Sequence, residues 1–376
     1  MLVLSLLSVV GARPQFIKAA VVSRLIQSSQ YCDKINECLV HTGQHYDDNM
    51  SAVFFREMEI PEPDINLQIG SGPHGAMTGA MLAQLERVMM EQKPDVVLVY
   101  GDTNSTLAGA LAASKLHIPV VHVEAGLRSF MMAMPEEQNR IIADRLSTVL
   151  FCPTEAAIDN LVHEGIQFAQ PALPSADHKA VFLSGDVMLD ASLYYRQKQK
   201  AMSLSSALAS LVERPFYLVT LHRAENTDDL VRLASIVKAL NEFDTLPAIL
   251  PLHPRTRKIL SQQGLEFAAH IHVIDPVGYF DMLAIENRCE FIVTDSGGVQ
   301  KEAYFFGKPC ITLRDSTEWI ELVQHGWNTL VGANTEKILA ALQSMPRYGD
   351  TVQLYGDGHA GEFIVQTLFN IFAKEG

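Results

Sequence analysis

Short apolar runs rich in β-branched residues recur along this chain of 376 residues, each followed by a longer amphipathic stretch. Seven of these runs predict strands, at residues 3–10, 96–100, 120–123, 149–153, 216–220, 248–252 and 291–294. They are apolar on both faces, as strands must be when helices cover both sides of a sheet. The alternation therefore predicts an α/β protein built from doubly wound parallel sheets.

Two segments, residues 97–120 and 291–310, share one pattern. Each leads from an apolar strand to an acid among small polar residues, then through a helix to a strand introduced by proline. We interpret them as parts of two Rossmann-like domains, which bind ligands at the carboxyl ends of their strands. The predicted domains are residues 1–185 and 186–358, with a final helix in 359–376 that packs back onto the first.

The chain carries a formal net charge of −14. This excess of acids argues against a nucleic-acid-binding surface and against contact with an anionic membrane, because both need clustered Lys and Arg. Any anion must therefore be bound by local positive potential and not by the field of the whole molecule. With 48% hydrophobic and 19% charged residues, the composition is that of an ordinary globular protein.

Residues 1–10 are apolar enough to suggest a signal peptide, but they lack a basic start and a small-residue cleavage site. No further stretch of roughly 18 residues is free of both charges and helix breakers, as a membrane-spanning helix would need. The five cysteines include no C-x-x-C pair, so we expect buried thiols and not a redox or metal site. We therefore predict a cytoplasmic protein with neither membrane nor nucleic-acid partners.

A glycine-containing turn follows the first predicted strand and opens a helix. Residues 11–18 combine Gly11, which permits a tight turn, with Pro14 at the helix start and the bases Arg13 and Lys18. Free N–H groups at such a helix start form an anion site. A plain strand–helix turn with solvated bases would show the same pattern.

Residues 295–298 form a second such turn. Gly297 and Gly298 leave their backbone N–H groups unobstructed, and Ser296 can cap the helix or donate a hydrogen bond. A diphosphate fits this arrangement, and the alternative is a simple helix cap with a glycine turn. Glu302, about one turn further along, could accept hydrogen bonds from ribose hydroxyls.

Carboxylates gather just after strands in the first half of the chain. Asp102 and Glu124 follow two predicted strands, and Glu136 and Glu137 follow Pro135. A carboxylate at the end of a strand among apolar residues suits general acid or base chemistry. Each of the first two alone would fit helix capping equally well. Glu136 and Glu137 also fit the first turn of a helix, where acids are stabilising.

Histidine–arginine pairs follow two strands of the second half. His222 and Arg223 come after one strand, and His253 and Arg255 after another. Such a pair can neutralise a leaving phosphate, or it can lie in a solvated loop. The sequence has no zinc, calcium, P-loop or dinucleotide-binding motif, so we predict no bound metal and no nicotinamide cofactor.

Taken together and in order, these motifs resemble those of the non-hydrolysing UDP-N-acetylglucosamine 2-epimerase family. The matching segments extend over nearly the whole chain: residues 11–18, 41–45, 101–103, 122–128, 135–140, 185–190, 222–223, 275–276, 295–298 and 314–318. The resemblance implies two Rossmann-like domains that face a deep cleft, as in GT-B glycosyltransferases, with the C-terminal helix crossing back to the first domain. It also implies a homodimer that needs no cofactor.

The resemblance implies the chemistry as well. Such an enzyme removes the C2 proton of UDP-N-acetylglucosamine and expels UDP from C1, which leaves bound 2-acetamidoglucal. UDP then re-adds while a proton reaches the opposite face of C2. The product is UDP-N-acetylmannosamine, which feeds surface-polysaccharide synthesis.

The family's functional residues carry over position by position. Asp102, Glu124 and Glu136 match its catalytic carboxylates in the first domain, and His222 matches its catalytic histidine in the second. The matches to UDP-binding positions are Arg13, Lys18, Ser296, Gly297, Gly298 and Glu302, and we add Arg223, the base beside His222. Which carboxylate removes the C2 proton and which returns it stays open.

Two departures from the family pattern bear on the substrate. Residues 319–320 are Trp-Ile where the family commonly has Arg-Pro near the nucleotide, and residues 46–48 are Tyr-Asp-Asp where Arg-Glu-Met is commoner. With residues 128–130, these variants resemble the branch that acts on UDP-2,3-diacetamido-2,3-dideoxy-glucuronate, which is our alternative substrate. A hydrolysing 2-epimerase and a glycosyltransferase of the same fold are further alternatives.

Overall fold

A parallel sheet flanked by helices forms the core of each half of this protein. The structure is a computed structural model that describes residues 2–43, 61–199, 206–344 and 352–375. The chain divides into two compact units, one made of Met1–Ala191 with Gln353–Gly376 and the other of Ser192–Val352. The domain boundaries that we placed after residues 185 and 358 stay a prediction.

The first unit contains the strands β1 (Leu2–Val10), β2 (Ile35–His41), β3 (Ile65–Asn66), β4 (Val96–Tyr100), β5 (Val120–Val123), β6 (Val149–Cys152) and β7 (Ala180–Leu183). They form one parallel sheet in the order β3-β2-β1-β4-β5-β6-β7. The order reverses between β1 and β4, and sheets of this kind bind ligands at the carboxyl ends of strands near such a switch point.

The helices of the first unit follow its strands in turn. They are α1 (Arg13–Ile26), α2 (His74–Gln92), α3 (Asn104–Lys115), α4 (Pro135–Leu146) and α5 (Glu155–His163), and α6 (Val187–Gln199) extends from this unit into the next. All five residues of β4 are buried, as expected for a central strand covered on both faces. Side chains of α2 and α3, such as Leu85 and Ala108, pack with Val97 and Val99 on one face.

The second unit repeats this plan. Its strands are β8 (Tyr217–Thr220), β9 (Ala248–Pro251), β10 (Ile271–Ile274), β11 (Ile292–Thr294), β12 (Cys310–Thr312) and β13 (Asn328–Leu330), in the order β10-β9-β8-β11-β12-β13. Its helices are α7 (Ser206–Leu211), α8 (Ala224–Thr227), α9 (Leu230–Glu242), α10 (Pro254–Gln262), α11 (Tyr279–Arg288), α12 (Gly297–Phe305), α13 (Ile320–Gln324) and α14 (Thr335–Gln343). The predicted pair of Rossmann-like folds is therefore confirmed.

The last helix, α15 (Ala360–Phe372), belongs to the first unit, as predicted. It packs against α1 so closely that a side chain at Gly361 would collide with Val21 and Leu25. A final strand, β14 (Lys374–Glu375), pairs antiparallel with the first residues of β1. The C-terminal segment thus contacts the first unit both through a helix and at the N-terminal end of the interior strand β1.

All seven strands predicted from the sequence are present to within a residue at each end. The expected buried thiols are confirmed for Cys152, Cys289 and Cys310, and burial raises the pKa of Cys310 to about 12. The expectation is wrong for Cys32, which is exposed, and Cys38 is half-buried. Among the described residues, no helix is long and apolar enough to cross a membrane. The motif residues 44–48 lie outside the described part of the chain.

Candidate active site

Asp102 and Glu124 lie just beyond the carboxyl ends of the neighbouring strands β4 and β5. Gly101 has a φ of 59°, and Glu124 has a φ of 70°, which is rare for a residue with a side chain. The Lys18 ammonium, from α1, contacts the Glu124 carboxylate at 2.6 Å, and both groups border the space beside Gly101. The fold thus brings together Asp102, Glu124 and Lys18, three of the predicted site residues.

Arg140 holds the side chain of Asp102. Its Nη2 donates to Asp102 Oδ2, and its Nη1 donates to Glu137 Oε2 at 3.0 Å. Asn139 Nδ2 donates to the Asp102 carbonyl oxygen at 2.9 Å. Because Arg140 and Asn139 both lie on α4, this helix fixes Asp102 through both its side chain and its backbone.

Glu136 and Glu137 occupy the first turn of α4 in different surroundings. Glu137 is buried and accepts the backbone N–H groups of Ser129 and Phe130, each at 2.9 Å. Glu136 is exposed and forms no hydrogen bond or ion pair with any residue that the structure describes. It lies one turn before Arg140 and hence on the same helix face. Of the two acids, Glu136 is the one available for chemistry.

A buried histidine supports the turn that carries Asp102. His122 lies 2.7 Å from the Gly101 carbonyl oxygen through Nε2 and 2.7 Å from Asp144 Oδ1 through Nδ1. Arg128 contacts the other oxygen of Asp144 at 2.7 Å. Burial by itself raises the pKa of Asp144, but hydrogen bonds and charges from His122 and Arg128 outweigh burial and lower it. Asp144 is therefore ionised and holds His122 against Gly101.

The start of α1 differs from the sequence-based prediction. Gln15 Oε1 accepts the backbone N–H of Gly11 at 2.8 Å and that of Ala12 at 3.1 Å. Pro14, within the first turn, has no N–H to offer. The N–H groups of Gly11 and Ala12 are therefore not free for an anion, and the anion site at the helix start itself stays a prediction. The side chain of Arg13 is exposed at this turn.

In the second unit, Ser296 caps α12, and Gly297 and Gly298 are its first two residues. The N–H groups of the first helical residues have no partner within the helix, and the helix dipole gives them a positive potential. The Glu318 carboxylate lies where a Cβ of residue 297 would stand, and Arg223 Nη2 lies 3.6 Å from that point. A side chain at residue 297 would displace the Glu318 carboxylate, and an arginine lies beside the predicted anion site.

Asp295, fully buried after β11, organises the loop that follows β8. Its carboxylate accepts the backbone N–H groups of His222 at 3.1 Å and Arg223 at 3.0 Å. His222 Nδ1 also lies 3.2 Å from Asp295 Oδ1. This contact favours a proton on Nδ1 and leaves Nε2 with a lone pair.

The pKa of His222 lies below its usual value. Burial is the main cause; the charge of Asp295 opposes it, and Arg223 and His253 lower the pKa further. The neutral ring is therefore favoured, and His222 can accept a proton or, once protonated, donate one.

Glu302 lies half-buried on α12, one turn beyond Gly298. Near it on α11, Glu286 is fully buried, and neither of its carboxylate oxygens has a hydrogen-bond partner in the described part of the chain. Burial raises the pKa of Glu286 well above its usual value, and the charge of Glu302 adds to this. A neutral acid therefore lies near the residue predicted to contact ribose.

The second histidine–arginine pair is not equivalent to the first. His253 caps α10, and the exposed Arg255 pairs with Asp228 at 2.7 Å. Within the described ranges, no group of three or more His, Cys, Asp and Glu side chains is placed to hold a metal ion.

Three supporting residues were missed by the sequence analysis: Arg140, His122 and Asp295. Each lies inside one of the motifs named above, at residues 135–140, 122–128 and 295–298, and the spacing of four residues between Glu136 and Arg140 was an available signal. Their partners could not be read from spacing, because Arg140 contacts a residue 38 positions away and Asp295 contacts one 73 positions away.

The fold and the described residues define an α/β protein with two Rossmann-like units, one with cation-held carboxylates and one with a histidine near a helix that begins with two glycines. A family model described as UDP-N-acetylglucosamine 2-epimerase matches residues 29–369. The UDP-2,3-diacetamido-2,3-dideoxy-D-glucuronate 2-epimerase of Pseudomonas aeruginosa is 51% identical over 371 residues, which cover 97% of this chain and 99% of the relative.

A UDP-N-acetylglucosamine 2-epimerase of Methanocaldococcus jannaschii is 43% identical over 370 residues, covering 96% of this chain and 97% of the relative. The crystal structure of a UDP-GlcNAc 2-epimerase from that organism in complex with UDP-GlcNAc and UDP matches at a TM-score of 0.82 and 42% identity, covering 97% of this chain and 98% of that one. The chain therefore belongs to the UDP-N-acetylglucosamine 2-epimerase family, as its motifs predicted, and is an isomerase.

Proposed function

We propose that this protein is a non-hydrolysing 2-epimerase, which converts a UDP-2-acetamido sugar into its C2 epimer by elimination and re-addition of UDP. The observation that carries the proposal is the grouping of Asp102 and Glu124 at neighbouring strand ends, each held by its own cation, Arg140 or Lys18. Epimerisation needs one group to remove the C2 proton and another to deliver a proton to the opposite face. Two fixed carboxylates can supply both.

The proposed reaction is redox-neutral. A carboxylate takes the C2 proton, the electrons of the C2–H bond form the C1=C2 bond, and the C1–O bond breaks so that its electrons leave with UDP. In the second step UDP adds back to C1 and a carboxylic acid delivers a proton to the other face of C2. Glu136, exposed at the start of α4, is the third proposed catalytic carboxylate. The C2 proton is a very weak acid, so stabilising the departing UDP is essential.

Groups of the second unit are proposed to stabilise that leaving group. The backbone N–H groups of Gly297 and Gly298 and the dipole of α12 favour a diphosphate, and Arg223 lies beside them. His222, once protonated on Nε2, is proposed to donate that proton or a hydrogen bond to it. The remaining proposed substrate-binding residues are Arg13, Lys18, Ser296 and Glu302.

Two UDP-sugars are candidate substrates. The Pseudomonas relative, at 51% identity, supports UDP-2,3-diacetamido-2,3-dideoxy-glucuronate, and the Methanocaldococcus relative, at 43%, supports UDP-N-acetylglucosamine. The same acid–base groups serve both sugars, because each carries an acetamido group at C2 and UDP at C1. The higher identity favours the diacetamido uronate.

Incubation of each sugar with the protein in D₂O tests the proposal. We expect deuterium at C2 of the recovered UDP-sugar, seen by mass spectrometry and NMR, and the larger kcat/KM identifies the substrate. No exchange with either sugar would overturn the proposal. Release of free sugar with stoichiometric UDP would select the hydrolysing alternative.

Replacing Asp102 separates chemistry from binding. In Asp102→Asn the side chain keeps its size but cannot take the proton, so we expect exchange to fall by at least about a hundredfold. UDP binding, measured by calorimetry, should be nearly unchanged. Asp159→Asn, at an exposed position on α5, is the matched control. Exchange at the normal rate in Asp102→Asn would remove this residue from the mechanism.

We further propose that the protein is a cytoplasmic homodimer. Every cysteine in the described ranges is a free thiol, which fits a reducing compartment. Light scattering on the purified protein should give about twice the chain mass of 41.5 kDa. The mass of a single chain would contradict the dimer.

A further inference from the structure

The two glycines that open α12 depend on other side chains for their orientation. Glycine has the widest backbone freedom of any residue, so its N–H group has a fixed direction only where the peptide group is held. A carbonyl oxygen and the N–H of the next residue belong to one planar trans peptide and point in opposite directions. A donor that fixes the carbonyl of Gly297 therefore also fixes the direction of the N–H of Gly298.

Trp319 supplies that donor. Its indole Nε1–H donates to the Gly297 carbonyl oxygen at 2.9 Å. An α-helix uses one lone pair of this oxygen for the N–H four residues on, and the second lone pair is available to the indole. Trp319 is only 4% exposed, and its own backbone N–H donates to Thr317 Oγ1 at 3.2 Å.

The preceding peptide group is held from the same segment. Thr317 Oγ1 donates to Gln300 Oε1 at 2.7 Å, and Gln300 Nε2 donates to the Ser296 carbonyl oxygen at 3.2 Å. That carbonyl shares its peptide group with the N–H of Gly297. Residues 317–319 thus orient two successive N–H groups at the start of α12.

Lys301 covers the face of the indole. Its Nζ lies 4.2 Å from the centre of the Trp319 ring, within the range of a cation–π interaction, and the lysine is only 3% exposed. Lys301 lies one turn after Gly297 on α12, so a single helix carries both the glycines and the cation that holds the indole.

We propose that Trp319 is a positioning residue for diphosphate binding. Its indole orients the N–H of Gly298 through the carbonyl of Gly297, and Lys301 keeps the indole in place. Residue 319 carries a neutral ring, so it acts on the diphosphate by orienting backbone donors and not by its own charge. The inference rests on the proposed function, because it takes residues 296–298 as the diphosphate site.

UDP itself is the probe, with its Kd measured by calorimetry. Trp319→Phe keeps an aromatic ring but removes the N–H, and we expect the Kd for UDP to rise about fivefold, the usual effect of one lost hydrogen bond. Trp327→Phe, at the chain's other tryptophan, is the matched control and should leave the Kd unchanged. An unchanged Kd in Trp319→Phe would overturn the inference alone. Failure of the unmodified protein to bind UDP would overturn the proposed function with it.

Two further measurements do not depend on Trp319→Phe folding. Lys301→Met should weaken UDP binding about two- to fivefold, and Lys301→Arg should restore it, because a guanidinium also interacts with the ring face. In Trp327→Phe, Trp319 is the only tryptophan, so saturating UDP should change the protein's emission spectrum. An emission spectrum that UDP leaves unchanged, or equal UDP binding by Lys301→Met and Lys301→Arg, would overturn the inference.

Discussion

Glu124 occupies a backbone conformation that few residues with side chains adopt, with φ at 70°. This conformation costs about 1–2 kcal/mol and persists only where the surroundings impose it. Here the next residue returns at once to the sheet, since the N–H of Ala125 donates to the carbonyl oxygen of Phe151 at 3.0 Å. The turn leaves the carboxylate against Lys18, at 2.6 Å. Lys18 therefore holds a catalytic candidate in place, in addition to its predicted role in substrate binding.

Glu286 makes the stability of the protein depend on pH. Its pKa is raised in the folded state, so the folded chain keeps a proton that the unfolded chain loses above a pH of about 4.5. The free energy of unfolding therefore falls as the pH rises, by up to about 1.4 kcal/mol per pH unit, until the pH reaches the raised pKa of Glu286. Glu286→Gln has no proton to lose, so its stability relative to the unmodified protein should increase from pH 5 to pH 8.

Urea denaturation at those two pH values provides the measurement. Glu290→Gln is the control. Glu290 is exposed and lies four residues further along the chain, so this substitution should show no such change. If Glu286→Gln gained no relative stability between pH 5 and pH 8, Glu286 would be ionised in the folded protein, against its complete burial.

At the scale of elements, the sequence predicted best where both faces of a strand are apolar. The bounds of β4 and β5 were predicted correctly because every residue in them is buried. β2 was not predicted, because Asn36 and Glu37 interrupt its apolar pattern near a sheet edge. Strands of three residues, such as β13, carry too little pattern to identify by themselves.

The same distinction applies to the site. Asp102 and Glu124 could be predicted as neighbours, because consecutive strands in this fold lie side by side and end at one edge. The use of Gln15 to occupy two N–H groups at the start of α1 could not be predicted. A glutamine side chain has several rotamers, and only the fold brings Tyr100 and Thr106 within 3.0 Å of its amide to fix one of them.

The start of α15 depends on a side chain from another helix. Asp190, on α6, accepts the backbone N–H of Ala360 at 3.2 Å and that of Gly361 at 2.7 Å. Removing such a cap costs about 1–2 kcal/mol. We expect Asp190→Ala to lower the free energy of unfolding by that amount in urea denaturation.

A nearby acid provides the control for this cap. Glu362, in the first turn of the same helix, is exposed, and Glu362→Ala should change stability by less than about 0.5 kcal/mol. Equal effects of the two substitutions would mean that Asp190 contributes only its charge.

At the scale of the whole molecule, the two units share one architecture. The parallel sheet of the first unit has β1 and β4 at its centre, in the order β2-β1-β4-β5. In the second unit β8 and β11 take the same places, in the order β9-β8-β11-β12. Carboxylates follow β4 and β5 in the first unit, and a buried acid with a glycine turn follows β11 in the second. A net charge of −14 is compatible with an anionic substrate because backbone N–H groups and a few bases act locally.

Removing the C-terminal segment should damage the first unit selectively. A chain that ends at Val352 lacks α15, whose Phe363 packs near Phe151 and Phe182 at ring separations of 6.2 and 5.9 Å. We expect this truncated chain to unfold at lower urea and to bind a hydrophobic dye, because apolar surface on α1 and β6 is uncovered.

A synthetic peptide of residues 353–376 should reverse both effects when added to the truncated chain. The same peptide with Gly361→Val should not, because a side chain there collides with Val21 and Leu25 on α1. A truncated chain as stable as the full-length protein would show that α15 adds nothing to the first unit.

The first unit includes α15 and β14, which lie at the end of the chain. It therefore cannot finish folding until the second unit has been synthesised. The ribosome makes residues 1–191, then the whole second unit, and only then the residues that cover α1. At roughly 5–20 residues per second, that interval is on the order of ten seconds or more. The uncovered face of α1 is available to chaperones throughout it. A translation stall within the second unit therefore prolongs the exposure of the first.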